Sequence, residues 1–203
     1  NQWTNNFESS TSLILGNYYD EKRILIGVDI GDGDEWDDGF YNVDKAEIKL
    51  YQYNTYNVSG TDNDVLFYKM TEDWDPTDVC WKEDGHGNDW DGGSYTMTVR
   101  GEHVDLGGSS GVWVTFDVTN VYKSLFYSSP ADVKNPGMIL TIYDVNPGSL
   151  WYFYSSDNTS YRPELILTYP SIERLSIEGI TEPYSDTFAY PIPYKGKWYV
   201  TMN

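Results

Sequence analysis

Histidine, cysteine and basic side chains are scarce in this chain of 203 residues, which holds two histidines, one cysteine and 13 lysines and arginines against 32 aspartates and glutamates. The single cysteine, Cys80, excludes an internal disulfide, and cysteine use therefore argues neither for nor against an oxidising compartment. It is expected as a buried small hydrophobe within a strand over residues 78–81. His86 and His103 are too few for most acid–base and transition-metal chemistry. No Gly-x-Ser-x-Gly elbow, His-Glu-x-x-His pair or phosphate-binding glycine loop occurs. Paired carboxylates can cleave glycosides, but so acidic a chain makes accidental pairs unavoidable. The expectation is a protein that is not an enzyme. No apolar run approaches the roughly 20 residues of a membrane helix, and no charged-then-apolar leader opens the chain. The formal net charge of −19 repels phosphate backbones and anionic lipid surfaces. Neither nucleic acid nor membrane insertion is expected.

What the chain has in quantity is aromatic surface with a polar handle: 19 tyrosines and eight tryptophans against seven phenylalanines. That balance suits half-wet sheet faces and interfaces. Period-two alternation recurs over residues 24–30, 46–53, 65–70 and 95–100, with further strand-like runs at 112–118, 138–143, 150–154 and 164–169. Each is bounded by Gly, Pro, Asn, Asp or Ser. Short strands at this rhythm predict an all-β antiparallel sandwich or barrel. Only residues 119–127 suit a short helix, with Val121 and Leu125, and Tyr122 and Phe126, at i, i+4 spacing. One sandwich domain is expected over residues 1–170. Beyond Tyr169-Pro170, residues 171–203 form a C-terminal β-strand extension with runs at 175–180, 186–190 and 197–202. It is too small to bury its own side chains and must dock on something.

The chain begins at Asn1, which suggests a processed or excised product, and the sequons at Asn57 and Asn158 lie in polar, loop-like text. Both fit a secreted, extracellular or cell-surface glycoprotein. The densest acidic stretch, residues 29–39, offers Asp29, Asp32, Asp34, Asp37 and Asp38 as candidate calcium ligands, because hard divalent cations take six to eight oxygens. Its spacing is not that of an EF-hand, and a solvated acidic hairpin is the alternative. A second cluster at 83–92, holding Asp84, His86 and Asp89, and a third around Asp62 and Asp64 are weaker versions of the same pattern. In the run Trp151-Tyr152-Phe153-Tyr154, alternate members face opposite sides of a sheet. One pair is expected in the core and the other against a neighbouring subunit or sugar rings, with Trp151 and Tyr154 as the candidate glycan-stacking residues.

The segments Met70-Thr71-Glu72-Asp73-Trp74, Val79-Cys80-Trp81, Trp90 with Gly92-Gly93, Val114-Thr115-Phe116-Asp117-Val118-Thr119, Gly137-Met138-Ile139-Leu140, Phe153-Tyr154-Ser155-Ser156 and Arg162-Pro163-Glu164-Leu165 stand in a characteristic order. Together they resemble an extracellular β-sandwich family, the DNRLRE domain, related to disaggregatase-associated repeats and to a class of carbohydrate-binding module. Upstream, Asn5-Asn6-Phe7, Ser12-Leu13-Ile14-Leu15-Gly16 and Ala46-Glu47-Ile48-Lys49-Leu50 match the family's Asn-rich loop and next core strands. The likeness implies a jelly-roll-like sandwich over about residues 4–170. Such domains open with an Asp-Thr-aromatic strand ahead of the Asn-rich loop. This chain lacks one there, yet carries Asp186-Thr187-Phe188-Ala189-Tyr190 in its tail. Two expectations follow from that comparison. The tail folds back on its own sandwich, or it completes a neighbour's sandwich by strand donation and builds a head-to-tail homopolymer, a filament, sheath or matrix assisted by calcium. A carbohydrate-binding module whose partner is a polysaccharide is the alternative function.

Overall fold

The structure, a computed structural model, describes residues 10–28, 43–59, 63–75, 77–126, 137–144, 147–169 and 198–201. In chain order these contain β1 (Ser12–Gly16), β2 (Ile24–Val28), β3 (Lys45–Tyr56), β4 (Asp64–Met70), β5 (Tyr95–Arg100), β6 (Val104–Asp105), β7 (Val112–Asp117), α1 (Thr119–Phe126), β8 (Met138–Asp144), β9 (Leu150–Tyr154), β10 (Glu164–Thr168) and β11 (Trp198–Thr201). All strand pairs are antiparallel, and they form two sheets: β1-β9-β3-β10 with β7 on β3, and β11-β2-β8-β4-β5 with β6 on β4. The chain is an all-β sandwich, as the strand rhythm predicts.

The apolar parity of each strand decides what lies between the sheets. Ala46, Ile48 and Leu50 of β3 alternate with Lys45, Glu47 and Lys49, and the first set is fully buried. Leu13 and Leu15 of β1, Phe116 of β7 and Trp151 and Phe153 of β9 join them from the first sheet, with Ile24, Ile26, Val65, Phe67, Met138 and Leu140 from the second. Phe67 meets Phe116 edge-to-face across the layers, with ring centroids 5.2 Å apart. Helix α1 closes one end with Val121, Tyr122, Leu125 and Phe126 buried. Eight residues are marginal as an isolated helix, and both ends of α1 are tied. The Asp117 carboxylate accepts from the Thr119 amide at 2.9 Å and hydroxyl at 2.6 Å. The Lys69 ammonium donates to the Ser124 carbonyl at 2.8 Å, and burial lowers its pKa from the usual lysine value.

Simple alternation fails for β4, where Val65, Leu66, Phe67 and Tyr68 are all buried. The reason is a second apolar layer. Residues 71–75 and 77–94 lie over the outer face of the second sheet and bury Trp74, Val79 and Trp90 against Leu25, Leu66, Tyr68, Met70 and Ile139. Cys80 lies in this lid rather than in a strand, and is buried as expected. The Trp90 indole donates to the Cys80 carbonyl at 2.6 Å. At the lid's edge, the Arg23 guanidinium lies 4.9 Å from the Trp81 ring centroid and 5.6 Å from that of Tyr95, and it donates to the Gly92 carbonyl at 3.2 Å. The lid therefore covers the part of this face formed by β2, β8 and β4.

Candidate binding face

The outer face of the first sheet carries aromatic rings where a solvated sheet normally carries short polar side chains. The strand register places them. Tyr51 of β3 pairs directly with Trp113 of β7, and Tyr154 of β9 pairs with Ser12 of β1. Gln52 pairs with Phe153, so Tyr51 and Tyr154 fall on the same cross-strand row. The Tyr51 and Trp113 rings meet at 5.3 Å edge-to-face, and Tyr53 and Tyr154 stack at 4.4 Å. The Tyr53 hydroxyl shares a 2.8 Å hydrogen bond with Ser12. Tyr152 adjoins Tyr53 at 6.1 Å.

A bulge widens the patch. Between Gln52 and Asn54 the β3–β9 register slips by one residue. Period-two alternation from Tyr51 and Tyr53 would turn residue 56 inward; the extra residue reverses the phase and leaves Tyr56 outward and 48% exposed. Tyr161 arrives from the loop joining β9 to β10. The Asn158 side-chain carbonyl accepts from the amides of Ser160 at 2.9 Å and Tyr161 at 2.8 Å, a local turn. The Ser155 hydroxyl ties the loop's start to the Ser10 carbonyl at 2.6 Å. The Tyr161 ring then stacks on Tyr51 at 4.1 Å and lies 5.6 Å from Tyr154, nearly parallel to it.

These rings are not equivalent. Tyr51, Tyr53 and Tyr154 engage one another's faces, and all are half-buried. Trp113 at 40% and Tyr161 at 39% exposure are the rings of this row that offer surface to solvent. Two of the phenols, Tyr51 and Tyr152, are held neutral by their surroundings. Burial first and Tyr161 second push the Tyr51 hydroxyl above the usual tyrosine range, and burial with Tyr53 and Tyr56 does the same for Tyr152. The face therefore presents aromatic rings rimmed by hydroxyl groups.

The sequence singled out Trp151 and Tyr154 together, and the structure separates them. Trp151 is fully buried, its indole 3.3 Å from the Gly107 carbonyl. An odd separation in one strand puts two side chains on opposite faces, so Trp151 is core and only Tyr154 belongs to the aromatic face. Asn57 is exposed and Asn158 half-buried, each at a border of the patch. The expected calcium ligands Asp29, Asp32, Asp34, Asp37 and Asp38 and the strand Asp186, Thr187, Phe188, Ala189 and Tyr190 lie outside the described residues.

In the weaker acidic cluster at 83–92, Asp84 is satisfied from within the loop. Asp84 accepts from the amides of His86 at 2.8 Å and Asn88 at 3.1 Å and from the Asn88 side-chain amide at 2.7 Å. His86 lies 3.7 Å from the Asp73 carboxylate, and His103 lies 3.6 Å from Asp64 and edge-on to Tyr143. Among the described residues no group of three His, Cys, Asp or Glu side chains is arranged to hold a metal ion, and no helix is long and apolar enough to cross a membrane. Comparison with known proteins finds no matching family model and no matching curated protein, so the likeness to DNRLRE sandwiches rests on the short segments quoted above.

Proposed function

We propose that this chain is a non-catalytic, extracellular binding module whose aromatic face holds a neutral polysaccharide. The observation that carries it is the contiguous row of Trp113, Tyr51, Tyr161 and Tyr154 on the solvent side of one sheet. Exposed aromatic area of this kind on a soluble domain marks a binding surface. Its chemistry points to sugar. Ring faces take the C–H faces of pyranoses, rim hydroxyls take sugar hydroxyls, and half-buried Ile14 is the one aliphatic side chain that the β1–β9 register sets beside Tyr152. Protein hot spots favour packed pockets with arginine partners. A net charge of −19 disfavours acidic glycans and leaves neutral ones.

The test is affinity electrophoresis through gels containing neutral glucan, mannan, xylan or galactan. Retardation in at least one is expected, with Trp113→Ala or Tyr161→Ala weakening it about tenfold, or ~1.4 kcal/mol. Retardation in none of them, or retardation insensitive to both substitutions, would overturn the proposal.

Assembly is the second reading: the β2 edge that β11 covers within the same chain is where a donated strand would sit. Trp198, Tyr199, Val200 and Thr201 run antiparallel to Val28, Gly27, Ile26 and Leu25 of β2 in the same chain. A strand from a neighbouring copy would make the same backbone hydrogen bonds, which is the essence of strand exchange. The acidic stretch proposed for calcium leaves β2 directly after Val28, the residue opposite Trp198. Calcium bound by that stretch would offset repulsion between acidic copies.

A further inference from the structure

Three tyrosines beyond the central row form a separate cluster at the same face. Tyr18 lies 4.1 Å from Tyr19 and 5.0 Å from Tyr56 between ring centroids, edge-on to both. Its phenol donates to the Tyr19 hydroxyl at 3.0 Å. Bonding to Tyr19 and then to Tyr56 holds the Tyr18 proton well above the usual tyrosine range. The turn that carries them is anchored at both ends. Gly16 and Lys22 exchange backbone hydrogen bonds at 3.2 and 2.7 Å, and Asn17 accepts from the Gly148 amide at 2.9 Å. Gly16 has φ +138°, and a β-carbon there would lie 2.1 Å from the Ser149 carbonyl oxygen, so the turn admits no larger residue at its base.

Tyr19 is the telling member. It is 87% exposed and sits at φ +66°, in the left-handed region that bulky side chains avoid and that glycine or asparagine occupies readily. It thus bears backbone strain for a ring that touches Tyr18 and is otherwise turned to solvent. Strain of this kind persists where binding requires it. Tyr56, brought outward by the β3 bulge, links the cluster to the row through Tyr152, whose phenol feels both Tyr53 and Tyr56. Five residues of strand separate Tyr51 from Tyr56, roughly 17 Å at ~3.3 Å per residue.

We propose that Tyr18, Tyr19 and Tyr56 form a distal subsite for the same neutral polysaccharide, so that the module grips an extended chain interior rather than a chain end or a short oligosaccharide. The inference rests on the polysaccharide reading of the central row. It is tested with whichever neutral polysaccharide retards the protein, cut to defined lengths from disaccharide to octasaccharide, by calorimetry. Wild-type affinity is expected to rise at least tenfold from the disaccharide to the octasaccharide. Tyr19→Asn is expected to remove that gain, to leave disaccharide binding unchanged and to raise the melting temperature, since asparagine tolerates the left-handed backbone. A merely structural tyrosine would not show opposite changes in stability and affinity. Length-independent affinity, or Tyr19→Asn binding the octasaccharide like wild type, overturns the subsite while Trp113→Ala still reports on the row. Binding to no polysaccharide removes both.

Discussion

Two tryptophans of the first sheet show how a one-residue parity decides a side chain's work. Trp113 faces solvent and Trp151 faces the core. Trp151→Ala is expected to cost about 3–5 kcal/mol of unfolding free energy, the usual penalty for truncating a buried aromatic. Trp113→Ala is expected to cost under about 1 kcal/mol while abolishing most polysaccharide retention. Paired denaturation and affinity measurements on the two variants check this, and equal stability losses would contradict the assignment. The orientation of Trp113 is legible in the sequence, because Val112, Val114 and Phe116 take one parity and Trp113, Thr115 and Asp117 the other. The burial of Trp151 is less so, since all four residues of the 151–154 run are aromatic and hydrophobicity gives no contrast between faces. Tyr161 was beyond the pattern altogether. Its place depends on a side-chain turn at Asn158, which carries no periodicity.

At the scale of elements, the lid over the second sheet is held by carboxylates as much as by tryptophans. Burial alone would raise the Asp84 pKa, but hydrogen bonds from Asn88 and His86 outweigh it and hold the carboxyl below the usual carboxylate range. Bonds from the Thr77 hydroxyl and amide do the same for Asp75. A depressed folded-state pKa contributes stability that is present above the unfolded carboxylate value, near 4, and is lost as pH falls through the folded value. The lid is therefore expected to loosen below about pH 4, seen as a red shift in tryptophan fluorescence. Asp84→Asn, which leaves the three donors around it one good acceptor short, is expected to cost about 1–3 kcal/mol at neutral pH and to flatten that acid transition. An unchanged transition in this variant would show that other groups govern it. The sequence marked residues 83–92 as acidic and loop-like but not as the cover of a sheet, because the apolar partners of Trp74 and Trp90 are spread over three strands, two of which, β2 and β8, lie far away in the chain. The same long-range cause hid the second buried face of β4. The β3 bulge was hidden for another reason: nothing in Tyr-Gln-Tyr-Asn-Thr-Tyr distinguishes an inserted residue from continued alternation.

For the whole molecule, the strand rhythm, the helix at 119–126 and the sandwich class were all legible, since each rests on local period and composition. Where the C-terminal strand docks was not, because pairing partners far apart in sequence leave no local trace. Deleting residues 182–203 removes β11 and uncovers the β2 edge. If copies join by exchanging this strand, the full chain is expected to elute from size exclusion as oligomers that grow with concentration and calcium and recede with EDTA, while the truncated chain stays monomeric. A full chain that is monomeric in both buffers would exclude exchange and leave polysaccharide binding untouched.

With two apolar layers, the protein is expected to open in two separable steps. The layer between the sheets draws on both of them, whereas the layer beneath the lid is smaller and is closed by a single segment. Opening of that segment alone requires less free energy than global unfolding. Cys80, the chain's one thiol, is 6% exposed and lies within it. A thiol-specific dye can therefore react only as fast as the lid opens, and its rate under native conditions becomes an internal clock for that opening, read without mutation, label or ligand.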